Sequence, residues 1–149
     1  MNFSNLININ QILLNCEAGS KKKSLEIISQ LVSDNFSEFT TNEILDSLIQ
    51  RERLGSTGIG HGVALPHGRL QNCTEAIGVF ISLHEGIDFD AIDREPVRLL
   101  FALLVPEDST EEHLEILAKL AEFFRQEKNR KALEHATSSE TVYNILNQL

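Results

Sequence analysis

Several familiar signatures are missing from this chain. It has two cysteines, Cys16 and Cys73, too far apart for a CxxC pair, and no HExxH segment. The usual zinc and metalloprotease patterns are therefore absent, and two reduced thiols are expected rather than a disulfide. No GxGxxG fingerprint or Gly-Lys-Ser/Thr phosphate loop occurs, which argues against the common nucleotide folds. The longest apolar runs, such as that from Leu99 to Val105, are too short to cross a bilayer, and no basic-then-apolar leader opens the chain. A cytoplasmic location without direct membrane insertion is expected. Cations are scarce: 13 Lys and Arg stand against 22 Asp and Glu, for a formal net charge of −9. That balance argues against general nucleic-acid binding and favours a partner with a basic face.

What is present is one domain's worth of ordinary globular sequence, with 42% hydrophobic and 23% charged residues in 149. No internal repeat, linker or low-complexity tract divides it, so residues 1–149 are read as a single domain. The lead-in over 3–18 reads as an edge strand or an irregular segment. Leu25, Ile28, Leu31 and Val32 recur at helical spacing and predict a helix from Lys21 to Asn35. The Lys21–Lys23 cluster at its start reads as a solvated first turn or as a patch for phosphate or an acidic partner. Thr40 with Glu43 is a capping box for a second helix carrying Ile44, Leu45, Leu48 and Ile49. That helix ends near Leu54-Gly55, placing Arg51 in its last turn, where Arg51 and Arg53 also suit the helix dipole.

Short strands follow: Val63–Leu65, the apolar run Ala76–Leu83, and Val97–Val105 stopped by Pro106. Glu85-Gly86 reads as a turn, and Ile87–Ile92 as a strand or extended loop with Ile87, Phe89 and Ala91 on one face. Ser109 and Glu112 frame a capping box for a helix with an apolar stripe of Leu114, Leu117, Leu120, Ala121 and Phe124. A short helix over 128–136 comes next. A last one is headed by a Thr137-to-Glu140 box and carries Val142, Ile145, Leu146 and Leu149. The fold class is α/β: a single-domain sandwich with a central mixed β-sheet flanked by helices.

The chemistry concentrates in the stretch from Arg51 to Arg69. Glycines at 55, 58, 60 and 62 permit unusual backbone angles and leave amides uncovered, as anion-binding loops do. The Ala64-Leu65-Pro66-His67-Gly68 segment then presents an imidazole at the loop's edge. A neutral imidazole nitrogen can accept a phosphoryl group and pass it on, because its reference pKa of about 6.5 leaves it mostly neutral near pH 7. Loop amides and an arginine would offset charge on the transferring oxygens, and a second histidine could hydrogen-bond them. His67, Arg51, His113 and the loop residues Ser56, Thr57, Gly58, Gly60 and Gly62 supply those parts. A metal site on His61, His67 and His113, or a plain nucleotide-phosphate loop, are weaker readings of the same residues. His84 and His135, with no glycine or arginine company, read as surface residues.

The stretch Arg51-Glu-Arg-Leu-Gly-Ser-Thr-Gly-Ile-Gly-x-Gly-Val-Ala-Leu-Pro-His67-Gly resembles the signature of type-2 IIA domains. These are the fructose/mannitol-class components of the bacterial phosphoenolpyruvate-dependent phosphotransferase system (PTS). Phe89-Asp-Ala-Ile-Asp93 followed by Pro96-Val-x-Leu-Leu-Phe-Ala-Leu-Leu-Val-Pro106 is similar to its nitrogen-regulatory (IIA-Ntr) branch. The resemblance runs from about Leu6 to the C-terminus. It implies a mixed sheet flanked by helices and a phosphotransferase component with no metal and no organic cofactor. By the same match His67 is the phosphoacceptor, modified on its ε nitrogen (tele-phosphohistidine). Arg51 stabilises the phosphoryl group and His113 is a supporting histidine. The implied partner is an HPr-type histidine phosphocarrier. Regulatory targets in nitrogen and potassium metabolism, such as potassium-transport proteins or sensor kinases, are implied for the nitrogen branch. The alternatives are a sugar-specific IIA serving a membrane permease and an interaction module that is never phosphorylated. Two positions depart from the branch pattern: His61 stands where asparagine is common, and Arg98 replaces an acidic residue.

Overall fold

A computed structural model describes residues 5–109 and 111–148, the side chain of Glu112 excepted. After a short 3-10 turn at Ile9–Gln11, β1 spans Ile12–Cys16, α1 Lys21–Asn35 and α2 Thr41–Leu54. Strands β2 (Gly58–Gly60), β3 (Val63–Ala64) and β4 (His67–Leu70) follow in quick succession. The long strands β5 (Ile77–Ile87) and β6 (Val97–Pro106) form the centre, and α3 (Glu111–Arg125), α4 (Glu127–His135) and α5 (Ser139–Leu146) complete the chain.

The sheet order is β1-β5-β6-β3-β2, with β4 also on β6. It is mixed: β5 runs antiparallel to β6, whereas β1 is parallel to β5, and β3 and β4 are parallel to β6. The near-continuous apolar runs of β5 and β6 are explained by helices on both faces. Val79, Ile81 and Leu83 with Leu100, Ala102 and Leu104 pack under Leu25, Ile28 and Val32 of α1 and Ile44 and Leu48 of α2. The alternate residues Phe80, Leu99, Phe101, Leu103 and Val105 meet Ile116, Leu120, Phe123 and Phe124 of α3, Leu133 of α4, and Val142 and Leu146 of α5. This is the expected helix-flanked mixed sheet.

Local signals explain the element ends. Thr40 Oγ1 accepts from Glu43 N at 3.1 Å while Glu43 Oε2 accepts from Thr40 N at 3.0 Å, closing the capping box. The Ser109–Glu112 box and Leu149 lie outside the described residues and side chains. The last helix differs from expectation by one position: Ser138, not Thr137, caps it, its hydroxyl accepting from Thr141 N. Leu114 leaves the predicted stripe of α3, being 63% exposed, and Ile116 takes the buried place.

An expected turn and an expected loop edge are strand instead. Glu85-Gly86 continues β5, because Gly86 is needed for contact: a Cβ there would lie 2.7 Å from Pro96 Cβ. The lead-in is an edge strand, β1. The segment around His67, expected at a loop's edge, is β4, paired His67 to Leu103 and Arg69 to Val105. Pro66 fits at the head of this strand, since it has no ladder donor to lose while its carbonyl accepts from Leu103 N at 2.9 Å. Pairing opposite Leu103 and Val105 turns His67 and Arg69 toward the α3 face, and Gly68 toward α2. A Cβ on Gly68 would overlap Ser47 Oγ and lie 3.1 Å from the Ser47 carbonyl. Glycine therefore lets α2 pack directly on β4, where Ser47 Oγ donates to Arg69 O at 2.8 Å.

Candidate functional site

Three elements meet at one open cleft lined by Arg51, His67, Gly68, Arg69, Glu111, His113, Leu114 and Leu117. Strand β4 supplies His67 and Arg69, the end of α2 supplies Arg51, and the first turn of α3 supplies His113. The α2 C-terminus and the α3 N-terminus lie against opposite faces of the sheet, so Arg51 reaches around the edge at β4.

His67 is held at both ring nitrogens. Its Nδ1 lies 2.9 Å from the Leu65 carbonyl, which only accepts, so Nδ1 carries the proton. Its Nε2 accepts from Arg51 Nε at 3.2 Å. That pair of bonds suits one state, the neutral Nδ1–H tautomer with a lone pair on Nε2 facing a guanidinium. Burial lowers the His67 pKa below its ordinary value and Arg51 adds to the fall. The Leu65 hydrogen bond and Glu52 oppose it. Arg51 is fixed in turn by Nη1 donating to the Gly55 carbonyl at 2.8 Å.

His113 faces His67 with ring centroids 5.2 Å apart and planes tilted by 54°. It is 6% exposed, and its Nδ1 has no hydrogen-bond partner among the described residues. Burial, then the charges of His67, Arg69 and Arg51, hold its pKa below the ordinary value. Arg69 is anchored by Nη1 donating to the Glu107 carbonyl at 3.1 Å. Sequence reasoning passed over Arg69; period-two alternation with His67 would have placed it in the cleft had the segment been read as strand.

The loop residues go elsewhere. Ser56, Thr57, Gly58, Gly60 and Gly62 do not line the His67 cleft, so the expectation of loop amides around the imidazole is not met there. Thr57 N donates to the Glu52 carboxylate, Gly58 N to Ser56 Oγ, and His61 N to Asp93 Oδ2. Gly58 is required by packing, since a Cβ would stand 2.8 Å from Ala91 Cβ. Gly60, His61 and Gly62 all have positive φ, making the tight link between β2 and β3. His61 thus sits with Asp93 rather than with His67 and His113. Among the described residues no group of three metal-ligating side chains assembles. His84 and His135 are exposed, and Cys16 and Cys73 are buried free thiols. Among the described residues no helix is long and apolar enough to cross a membrane.

Burial of two neutral imidazoles has a consequence for stability. Both pKa values are lower folded than unfolded, so the unfolded chain binds protons first as pH falls. Their contribution is complete above the unfolded value of about 6.5 and is lost as pH drops from there through the folded values. Urea midpoints are therefore expected to be lower at pH 5.5 than at pH 7.5. The drop should be smaller in the His67→Gln/His113→Gln double variant; an equal drop would assign it to other groups.

In chemical terms the cleft offers a neutral imidazole nitrogen with its lone pair free of a proton, two guanidinium groups, a second imidazole and a helix N-terminus. Such a set can bind an anionic group and attack it. The profile of the family described as "Phosphoenolpyruvate-dependent sugar phosphotransferase system, EIIA 2" matches residues 5–149. A Nitrogen regulatory protein of Pseudomonas aeruginosa is 46% identical over 134 residues, covering 90% of this chain and 87% of that one. Its Escherichia coli K12 counterpart is 45% identical over 128 residues, covering 85% and 78%. The crystal structure of Nitrogen Regulatory Protein IIA-Ntr from Neisseria meningitidis superposes with a TM-score of 0.91 at 43% identity, covering 97% of this chain and 98% of that one. The chain belongs to the EIIA type-2 family of the phosphoenolpyruvate-dependent phosphotransferase system, in its nitrogen-regulatory branch.

Proposed function

We propose that this protein is a phosphoryl carrier whose acceptor is Nε2 of His67. The observation that carries this reading is the double hold on the imidazole, Nδ1–H on the Leu65 carbonyl and Nε2 on Arg51 Nε–H. Nε2 attacks the phosphorus of the phosphohistidine on an HPr-type carrier. The Nε2–P bond forms as the donor's N–P bond breaks, and the electron pair returns to the donor imidazole. The Nδ1 proton stays where it is, balanced by the Leu65 carbonyl. As the lone pair becomes a bond, Arg51 Nε–H passes from nitrogen to the phosphoryl oxygens, so its stabilisation grows toward the transition state. His113, and the N-terminal turn of α3 that carries it, add donors on the other side of the cleft.

An adjoining groove lined by Glu43, Asp46 and Glu107, with Arg51 and Arg69 also on its wall, offers three carboxylates for a basic carrier face to pair with. The phosphorylation state then governs binding to regulatory targets in nitrogen and potassium metabolism. Names of relatives such as Nitrogen regulatory protein support the nitrogen-regulatory part of that role. The deciding experiment is intact-mass spectrometry after incubation with phosphoenolpyruvate, enzyme I and HPr. The protein is expected to gain one acid-labile phosphoryl group. If it gains none while the cognate carrier is itself phosphorylated, the chain is an interaction module and not a carrier.

A further inference from the structure

Arg51 reaches the cleft, but its neighbour Glu52 turns inward, its side chain only 6% exposed. The carboxylate accepts from Thr57 N at 3.2 Å and from the Thr57 hydroxyl, and it pairs with Lys21 Nζ at 2.7 Å. Lys21 is itself placed: its Nζ lies 4.8 Å over the Phe89 ring and 3.7 Å from Asp90 Oδ2. The first lysine of the α1 cluster is thus an internal tie, neither a solvated turn nor a patch for a partner. A carboxylate this deep is kept only when its partners are fixed, and removing one of them is costly.

None of these partners lines the His67 cleft. What they hold is the turn from Glu52 to Thr57 that closes α2. Within it, Gly55 N donates to Glu52 O at 3.1 Å, and Gly55 O accepts from Arg51 Nη1 at 2.8 Å. The guanidinium therefore has two anchors, the Gly55 carbonyl and His67 Nε2, and the first is only as steady as the turn. An arginine without that anchor regains rotamer freedom, and a donor displaced by an ångström loses much of its effect on a transition state.

We propose that Glu52, braced by Thr57 and Lys21, is a positioning residue that fixes the Gly55 carbonyl and thereby aims Arg51 at Nε2 of His67. Its consequence for phosphoryl transfer rests on the carrier reading above.

The test uses Glu52→Gln, which keeps the side chain's shape and removes its charge. The first readout is the 15N shift pattern of the His67 imidazole in unphosphorylated protein, which needs no phosphotransfer. The Nε2 signal is expected to move from its wild-type position toward the one it takes in Arg51→Ala. The second is the single-turnover rate from a phosphorylated HPr. It is expected to fall about ten- to a hundredfold, and Glu52→Gln added to Arg51→Ala should cost nothing more, because both changes act through one group. Unchanged imidazole signals in a folded Glu52→Gln chain, or rate losses that multiply in the double variant, would overturn the proposal. Should Glu52→Gln fail to fold, Thr57→Val removes only the hydroxyl donor and must shift the Nε2 signal in the same direction; no shift there also overturns it. If the wild type accepts no phosphoryl group, the carrier reading falls while the imidazole comparison still decides whether Glu52 sets Arg51.

Discussion

Replacing His67 by alanine is expected to abolish phosphoryl uptake completely, with no second histidine taking over. The cleft contains one other imidazole, and it is poorly placed to substitute. His113 is 6% exposed and its Nδ1 is enclosed without a partner among the described residues. Among those residues no guanidinium holds it as Arg51 Nε holds His67 Nε2. His61 is exposed and free to react, but it stands at the β2–β3 link beside Asp93, away from both cleft arginines. A phosphoryl group delivered there would meet a carboxylate held ionised by the His61 and Glu95 amides. The change should be tolerated structurally, because His67 is only half-buried and its strand pairing with β6 is made by the backbone. Intact mass after full phosphorylation of the carrier reads the result directly. A residual acid-labile phosphoryl group on His67→Ala would mean a second acceptor, and peptide mapping would then locate it.

Much of the fold was legible because local chemistry and packing agree. The α2 capping box, the end of that helix at Leu54, the first part of β5 and the buried strand Val97–Pro106 all follow signals that the tertiary structure reinforces. Where glycine or proline was the signal, its meaning was ambiguous. Gly86 and Gly58 look like turn residues, yet each is there because a neighbour, Pro96 or Ala91, comes too close for a Cβ. Pro66 and Gly68 hid strand β4 for the same reason: one costs nothing at a strand's first position, and the other makes room for Ser47 of α2. Such pairings are long-range, and no local pattern carries them. The site divides likewise. Arg51, His67 and His113 were singled out by residue type and resemblance, and the structure brings them to one cleft. Arg69 escaped notice with the strand that presents it, and Glu52 was invisible because its ion-pair partner, Lys21, lies far earlier in the chain. The glycine loop was assigned to an anion because anion loops and close-packing loops draw on the same residue.

Arg51→Ala is expected to slow phosphoryl acceptance by about 10²- to 10³-fold, the usual effect of deleting one donor aimed at developing charge. The argument runs through what the guanidinium does before and after transfer. In the resting protein Arg51 Nε–H lies 3.2 Å from the nitrogen proposed to attack, which keeps that nitrogen unprotonated. Burial already disfavours protonated His67, and Arg51 adds to that because two positive donors cannot face each other. On the proposed carrier reading, the same group would face oxygens carrying spreading negative charge in the transition state, so one residue would both preserve the nucleophile and stabilise the transfer. Arg51→Lys restores the charge but not the fork: an ammonium on a flexible stem cannot hold the Gly55 carbonyl and address His67 along a fixed direction. It should therefore recover only part of the loss. Rapid-quench measurement across a range of phosphorylated carrier concentrations separates the two possible origins. A lower saturating rate with little change in half-saturation is the expected result, because the interaction strengthens in the transition state. If half-saturation rises instead while the saturating rate holds, Arg51 serves docking of the carrier and the transferring phosphoryl group is stabilised by Arg69 and His113.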